Sequence, residues 1–259
     1  MKSKLRQLYK TFFIIVLFTA GLVIAGLIFP VINFTCNANK AKDHANQLKR
    51  LWLAWFARIL NIKIQLNGQI TQNAALVVAN HISWVDIIAL GHLIPGYFVS
   101  KNDVIDWPVI GYLARQGGTV FIKRGDKQHV RNTTEKMLWL LKQNRSILAF
   151  PEGTTSDGNN VLAFHASLFQ PAILAKATLQ PIAIQYLGDA HQQAPFIGED
   201  AFVSHLLRML ALPVIPIQLT VLAEISTANK KRSDLAEMSR SAICEALQPD
   251  NPHSLKKIS

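Results

Sequence analysis

Residues Thr11 to Ile32 form a nearly unbroken apolar run of 22 positions, and no other stretch limits the fold so strongly. A helix rising about 1.5 Å per residue would make it roughly 33 Å long, enough to cross the hydrocarbon core of a bilayer. Lys2, Lys4, Arg6 and Lys10 precede it, and by the positive-inside rule they favour a cytoplasmic N-terminus. A cleaved signal peptide is the competing reading. The run is long for that, and no convincing small-x-small cleavage site follows it. A retained membrane segment is therefore expected.

A second helix follows the polar stretch 33–39. From Lys40 to Ile62, the residues Leu48, Leu51, Trp52, Trp55, Phe56, Ile59 and Leu60 recur at three and four, giving one apolar face. Lys49, Arg50 and Arg58 mark the other face. A basic amphipathic helix with two tryptophans suits a membrane interface, and a helix covering a domain core would show the same pattern. Two basic helices joined by a tight turn can also enter one leaflet as a re-entrant hairpin, which keeps the charge on the cytoplasmic side.

The chain is half apolar by count and 17% charged, which assures a core and argues against disorder. Its 27 lysines and arginines against 16 acidic residues leave a net charge of +11, so an anionic partner is needed. The aromatics do not interleave with the basic residues as nucleic-acid binders require, so no nucleic acid is expected and membrane lipids explain the charge. Cys36 and Cys244 lie too far apart for a metal or redox motif, and two cysteines exclude a disulfide framework. The remaining histidines lack ligand-like spacing, so no metal is expected.

From Lys63 onward, short apolar runs alternate with helical stretches. Strands are expected at Ala75–Ala79, Tyr97–Ser100, Thr119–Ile122, Ser146–Phe150, Pro181–Leu187 and Ile217–Glu224. Helices are expected near Trp84–His92, Trp107–Arg115, Lys127–Gln143, Ser167–Ala177, Ala201–Leu210 and Lys230–Leu247. This alternation predicts an α/β fold, a mainly parallel sheet flanked by helices and preceded by the membrane-inserting helix pair. The division is residues 1–62 for the membrane element and 63–259 for the α/β domain, with 188–200 its least regular internal segment.

Three clusters with chemical character each follow a strand. His81 ends the run Ala75–Ala79, with Asp86 five positions on. An imidazole can act as a general base near neutral pH if a neighbour fixes its tautomer. On one continuous helix the two side chains would diverge, so the pairing needs His81 before a helix and Asp86 in its first turn. Ser83 to Asp86 also reads as a capping box, in which Asp86 satisfies backbone donors. Arg124 follows the strand at Thr119–Ile122 and suits an anionic oxygen. Glu152, Gly153 and Thr154 follow Phe150-Pro151 and can hydrogen-bond a polyol or line an anion site. If the strands are parallel, these ends converge on one crevice. There is no Gly-x-Ser-x-Gly elbow, Walker loop, Gly-x-Gly-x-x-Gly or His-Glu-x-x-His.

These blocks resemble the glycerolipid acyltransferase family typified by 1-acylglycerol-3-phosphate acyltransferase. Asn80-His81 through Asp86 matches its His-x-x-x-x-Asp motif, Gly118 to Arg124 its Gly-x-x-Phe-Ile-x-Arg block, and Phe150 to Ser156 its Phe-Pro-Glu-Gly-Thr-x-Ser block. The apolar strand around Pro181 is the fourth. The resemblance implies acyl transfer without a covalent enzyme intermediate or cofactor. His81 would deprotonate the hydroxyl of a lysolipid acceptor, with Asp86 holding it, and the acyl donor would be acyl-CoA or acyl carrier protein. Arg124, Glu152, Gly153 and Thr154 would bind the acceptor, and Pro181 would shape the acyl-donor side.

The implied product is phosphatidic acid from 1-acylglycerol-3-phosphate, at the cytoplasmic face of a bacterial inner membrane. The family also has precedent for an N-terminal two-helix element in one leaflet. Two departures bear on the acceptor: Thr155 stands where many members have arginine, and Phe164-His165 lacks a lysine often found after that aromatic. The stretch from Phe196 to Leu210 resembles a branch that includes lyso-ornithine lipid acyltransferases, so another lysolipid is the alternative acceptor. A catalytically silent membrane-binding protein of the same fold is the non-enzyme alternative.

Overall fold

The computed structural model describes residues 2–123 and 125–248. Seven strands form one sheet: β1 (Ile62–Asn67), β2 (Ala75–Ala79), β3 (Gly96–Lys101), β4 (Val120–Ile122), β5 (Ser146–Ala149), β6 (Thr178–Tyr186) and β7 (Ile215–Val221). Their spatial order is β1-β7-β6-β2-β5-β3-β4. Strands β2 to β6 run parallel, whereas β7 is antiparallel to β6 and β1 runs with β7. Central β2 is buried at all five positions, as a strand with both faces covered must be. The helices between the strands are α4 (Val85–Gly91), α5 (Ile110–Gln116), α6 (Lys127–Lys142), α7 (Gln170–Ala175), α8 (Asp189–Gln193) and α9 (Phe202–Ala211), and α10 (Arg232–Ala246) follows β7.

The expected α/β class is therefore present, with β6 beginning at Thr178, three residues before the expected start, and with further differences. Strand β1 was not expected, because helical spacing carried the preceding helix to Ile62. Asn61 stops that helix at Leu60 by adopting a left-handed conformation (φ 59°), which asparagine tolerates. The alternation Ile62-Lys63-Ile64-Gln65-Leu66-Asn67 then pairs in parallel with β7. Strand β7 begins at Ile215, two residues before the expected start, and ends at Val221.

The N-terminal segment is α1 (Lys2–Val23), a π-helical turn (Ile24–Ile28) and α2 (Phe29–Thr35). Within it, Lys4–Thr35 is long and apolar enough to cross a membrane by length and composition. Helix α3 (Ala38–Leu60) returns antiparallel after Asn37, whose side chain caps it by accepting from the Lys40 amide at 3.0 Å. Neither helix projects away from the domain. The buried Lys10 ammonium donates to the carbonyls of Leu60 (3.1 Å) and Leu212 (2.9 Å), beside the starts of β1 and β7. Arg6 donates to Ala211 (3.0 Å). At the other end, Phe29 and Ile32 share a small cavity with Tyr97 of β3. The helix pair thus lies obliquely across one face of the sheet.

This docking changes the meaning of the basic residues. Arg6 and Lys10 cap C-terminal carbonyls of α3 and α9 and are not held in reserve for lipid headgroups. Lys49 donates to the carbonyls of Gly96 (2.7 Å) and Gly117 (3.1 Å), and Arg50 points at those of His92 and Leu93. Their side of α3 faces protein, and Leu51 and Trp55 face outward. On α1 and α2 the inner positions Ile14, Leu17 and Phe29 are buried, while Phe12, Ile15, Val31 and Phe34 are exposed. The helices approach closely at Gly21, where a Cβ would lie 2.8 Å from Trp52 Nε1. That indole donates to the Leu17 carbonyl at 2.8 Å.

Lys10→Met keeps the apolar stem but removes both donors from two buried helix ends. We expect a loss of about 1–3 kcal/mol, read as a lower melting temperature in detergent. An unchanged melting temperature would show that these bonds do not hold the helix pair to the domain.

Candidate active site

The chain leaves the sheet at Asn80, one residue beyond β2. The buried Asn80 amide donates from Nδ2 to the Ile184 carbonyl (2.9 Å) and accepts the Ile184 N–H at Oδ1 (2.7 Å). This two-way clamp fastens the end of β2 to β6 where His81 begins the crossover. Asp86 lies in the first turn of α4, the arrangement the sequence required for pairing. His81 Nδ1 is 2.9 Å from Asp86 Oδ2. With Nδ1–H donated to the carboxylate, Nε2 carries the lone pair.

Asp86 is fully buried, and both of its oxygens are occupied. Oδ2 also accepts the amides of Ile82 (2.7 Å) and Ser83 (2.9 Å), and Oδ1 accepts the Tyr186 hydroxyl (2.6 Å). The two readings of Asp86 from sequence, orienting His81 and satisfying backbone donors, are both realised in one carboxylate. Burial, then the charge of Asp86, pushes the Tyr186 hydroxyl well above its ordinary pKa. It stays protonated and donates.

The block from Phe150 onward braces His81. The His81 amide donates to Glu152 Oε1 at 2.6 Å. The His81 carbonyl accepts from the Ser156 amide (2.8 Å) and hydroxyl (3.2 Å). Phe150 stacks on the imidazole, with centroids 4.0 Å apart and planes 10° off parallel. Glu152 Oε2 takes the Leu162 amide at 2.8 Å. Glu152 was expected on the acceptor, but the structure places it beneath His81 with each oxygen committed to a backbone donor. Burial raises its carboxyl above the usual glutamate range, against the pull of those two amides.

The remaining expected residues fall in different places. Gly153 takes φ +65°, which glycine adopts without a steric penalty, and it lines a cavity with the exposed Thr154. Thr155 donates its hydroxyl to the Phe196 carbonyl, stapling that loop to the site. Pro181 is buried inside β6 in register with Val78, and its carbonyl accepts the Leu222 amide at 3.0 Å. It is not among the cavity-lining residues. Arg124 lies outside the described residues.

The cavity measures about 740 Å³, within the range of small-molecule and cofactor sites. It runs between the helix pair and the strand ends. Phe18, Trp52 and Phe56 form one wall, and His81, Phe98 and Phe150 form the other. Lys49 lines the cavity beside Gly117, where burial pulls its pKa down to about 7. The lining is mainly apolar, so it suits a hydrocarbon chain, with one imidazole for proton transfer. Among the described residues no group of three His, Cys, Asp or Glu side chains is placed to hold a metal.

Sequence reasoning missed Tyr186, Ser156 and the wall contributed by the helix pair. Tyr186 sat in an expected strand as one more apolar position. Its polar end could have been noticed, since a buried tyrosine hydroxyl usually needs a partner.

Comparison with known proteins bears on the family and the fold. The Acyltransferase family profile matches residues 61–185. The lyso-ornithine lipid O-acyltransferase of Pseudomonas aeruginosa is 38% identical over 203 residues, 78% of each chain. The 1-acyl-sn-glycerol-3-phosphate acyltransferase of Neisseria meningitidis serogroup B is 32% identical over 148 residues, 56% of this chain and 58% of that one. The crystal structure of the 1-acyl-sn-glycerophosphate acyltransferase PlsC of Thermotoga maritima shares the fold. Its TM-score is 0.66 at 19% identity, covering 94% of this chain and 95% of that one.

His81→Ala should lower acyl transfer at least roughly 10²-fold, the low end for removing a general base, without loss of fold by circular dichroism. Full activity in a folded variant would refute the assignment. Tyr186→Phe removes a donor from Asp86, so the carboxylate that orients His81 is held less firmly. We expect kcat to fall roughly tenfold, of the order lost with one hydrogen bond to a charged group, with KM little changed. A variant that melts earlier but keeps its kcat would reduce Tyr186 to a packing role.

Proposed function

We infer the reaction from one premise: this chain belongs to the glycerolipid acyltransferase family typified by 1-acylglycerol-3-phosphate acyltransferase and is an acyltransferase enzyme. We propose that it transfers a fatty acyl group from a thioester donor, acyl-CoA or acyl carrier protein, to the free hydroxyl of a lysolipid, and that its acceptor is lyso-ornithine lipid. His81 Nε2 takes the hydroxyl proton as the oxygen attacks the thioester carbonyl. The imidazolium is held by Asp86 through Nδ1, and the proton passes to the departing thiolate as the tetrahedral intermediate collapses. The ester forms, the carbon–sulfur bond breaks, and His81 returns to its starting state.

The observation that carries the acceptor choice is Thr155. Where many family members have arginine, this chain has a hydroxyl spent on the Phe196 carbonyl, so position 155 offers no charge to a phosphate. The extent of similarity to the P. aeruginosa relative supports the same choice.

A second reading, acylation of 1-acylglycerol-3-phosphate to phosphatidic acid, is favoured by Arg124 in the Phe-Ile-x-Arg block and by the Neisseria relative. In either case the exposed apolar side of the helix pair would rest in the cytoplasmic leaflet of a bacterial inner membrane, where both thioester donors are available. Gly153 and Thr154, at the cavity wall, would contact the acceptor.

The test is thiol release by the purified protein in detergent, with lyso-ornithine lipid and lysophosphatidic acid as parallel acceptors. We expect the first to turn over at least roughly tenfold faster, the low end of what one hydrogen bond to a charged group contributes. Turnover with lysophosphatidic acid alone would overturn the acceptor and keep the His81–Asp86 chemistry. Turnover with neither would remove the lysolipid reading itself.

A further inference from the structure

A second cavity, of about 210 Å³, opens where the helix pair turns. It lies between α2, the first turns of α3, and α6, sharing Phe29 and Gly117 with the wall of the large cavity. Its polar lining includes Lys42, Lys136, Asn33 and Gln116, and no acidic side chain lines it. Among the described residues neither lysine has an ion-pair partner. Lys42 instead stands over the Trp139 ring, 3.8 Å from its centroid. Nearby Arg145 is bound to Asp43 at 2.7 Å, so that carboxylate is already engaged. Burial lowers the pKa of both lysines, and for Lys42 the Arg145 charge adds to it. Both would gain from an anion.

The surroundings identify which anion. Val31 and Phe34 of α2 are exposed beside the cavity, Phe34 at 93%, and Trp139 of α6 is 44% exposed. Apolar side chains at a helix end, an amphipathic tryptophan and unpaired lysines are the sequence of layers that a protein meets from acyl chains to headgroups. A soluble phosphate ester would need the cations but would leave Val31 and Phe34 without a role.

We propose that this cavity binds the phosphate of an anionic phospholipid from the bilayer surface. Lys42 and Lys136 are the ligands, and Trp139 is the interfacial anchor. The proposal rests on the membrane reading of the helix pair and adds a specific lipid site at its turn. It also gives a use to cationic charge that is not consumed in capping helices, unlike Arg6, Lys10 and Lys49.

Vesicle flotation tests it, using phosphatidylcholine alone and phosphatidylcholine mixed with phosphatidylglycerol. The proteins are the wild type, K42A/K136A, K42R/K136R, and the charge-matched K63A/K230A. The wild type should favour the anionic vesicles. K42A/K136A should lose roughly 30-fold on them, the weight of two lysines near such a surface, and nothing on neutral vesicles. The arginine pair should retain binding, and the remote pair should change it no more than a few-fold, with melting temperatures reported for all. Equal losses in the remote pair would reduce the effect to net charge and overturn the site. Displacement by inorganic phosphate at matched ionic strength would overturn the lipid assignment in favour of a free phosphate ester. Failure of the wild type to float with either vesicle would remove the membrane reading and the site with it.

Discussion

Burying a carboxylate is the constraint on which the site depends. An isolated charge moved from water into a protein interior is costly, and it persists only where paired and hydrogen-bonded. Asp86 is fully buried and has four donors: two successive backbone amides, a tyrosine hydroxyl and the His81 ring. Each donor constrains another part of the fold. The amides require the chain to turn sharply between β2 and α4. Tyr186 requires β6 to extend to the same height, and the Asn80 clamp on Ile184 holds it there. Satisfying one charge therefore sets the strand register, the crossover geometry and the histidine tautomer together.

The same logic explains why the Glu-Gly-Thr block lies where it does. The general base proposed here must be held in position, and a residue at a strand end has lost its ladder partners. Glu152 and Ser156 replace them by taking the amide and offering donors to the carbonyl of His81. The Phe150–Ser156 block thus acts on the His81 block through the backbone. Phe150 completes the support by covering one face of the imidazole, leaving the ring edge for the proposed proton transfer.

Much of this was legible in the chain. The buried strand before His81, the five-residue spacing to Asp86 and the cluster after β5 were all visible, because parallel strands put successive strand ends at one edge. Partners distant in sequence were not visible: Tyr186 is 100 positions from Asp86, and nothing in the local pattern of β6 distinguishes its hydroxyl from a packed ring. The basic face of α3 misled for a different reason. Amphipathic spacing identifies two faces but not which one meets protein, and Lys49 and Arg50 satisfy carbonyls inside the molecule. Glu152 showed its charge but not its partners, since a carboxylate that accepts two amides resembles one that awaits a substrate.

The position of the cavity connects the apolar N-terminus to the chemistry. A lysolipid hydroxyl is attached to a chain that leaves a bilayer only at considerable cost, about 0.8 kcal/mol for each methylene exposed to water. An active site in open solvent would bear that cost in every turnover. Here Phe18 and Gly21 of α1 and Trp52 and Phe56 of α3 are at once parts of the apolar N-terminal helix pair, proposed above to rest in a leaflet, and walls of the cavity that contains His81. A chain moving from lipid into this space exchanges one apolar surface for another, and only the hydroxyl and the thioester need meet polar groups. The close approach of α1 to α3 at Gly21 follows from that arrangement, because the two helices must form a continuous wall. The long apolar run is then a wall of the proposed site, and the cations that precede it, Arg6 and Lys10, dock it to the domain whose cavity it completes.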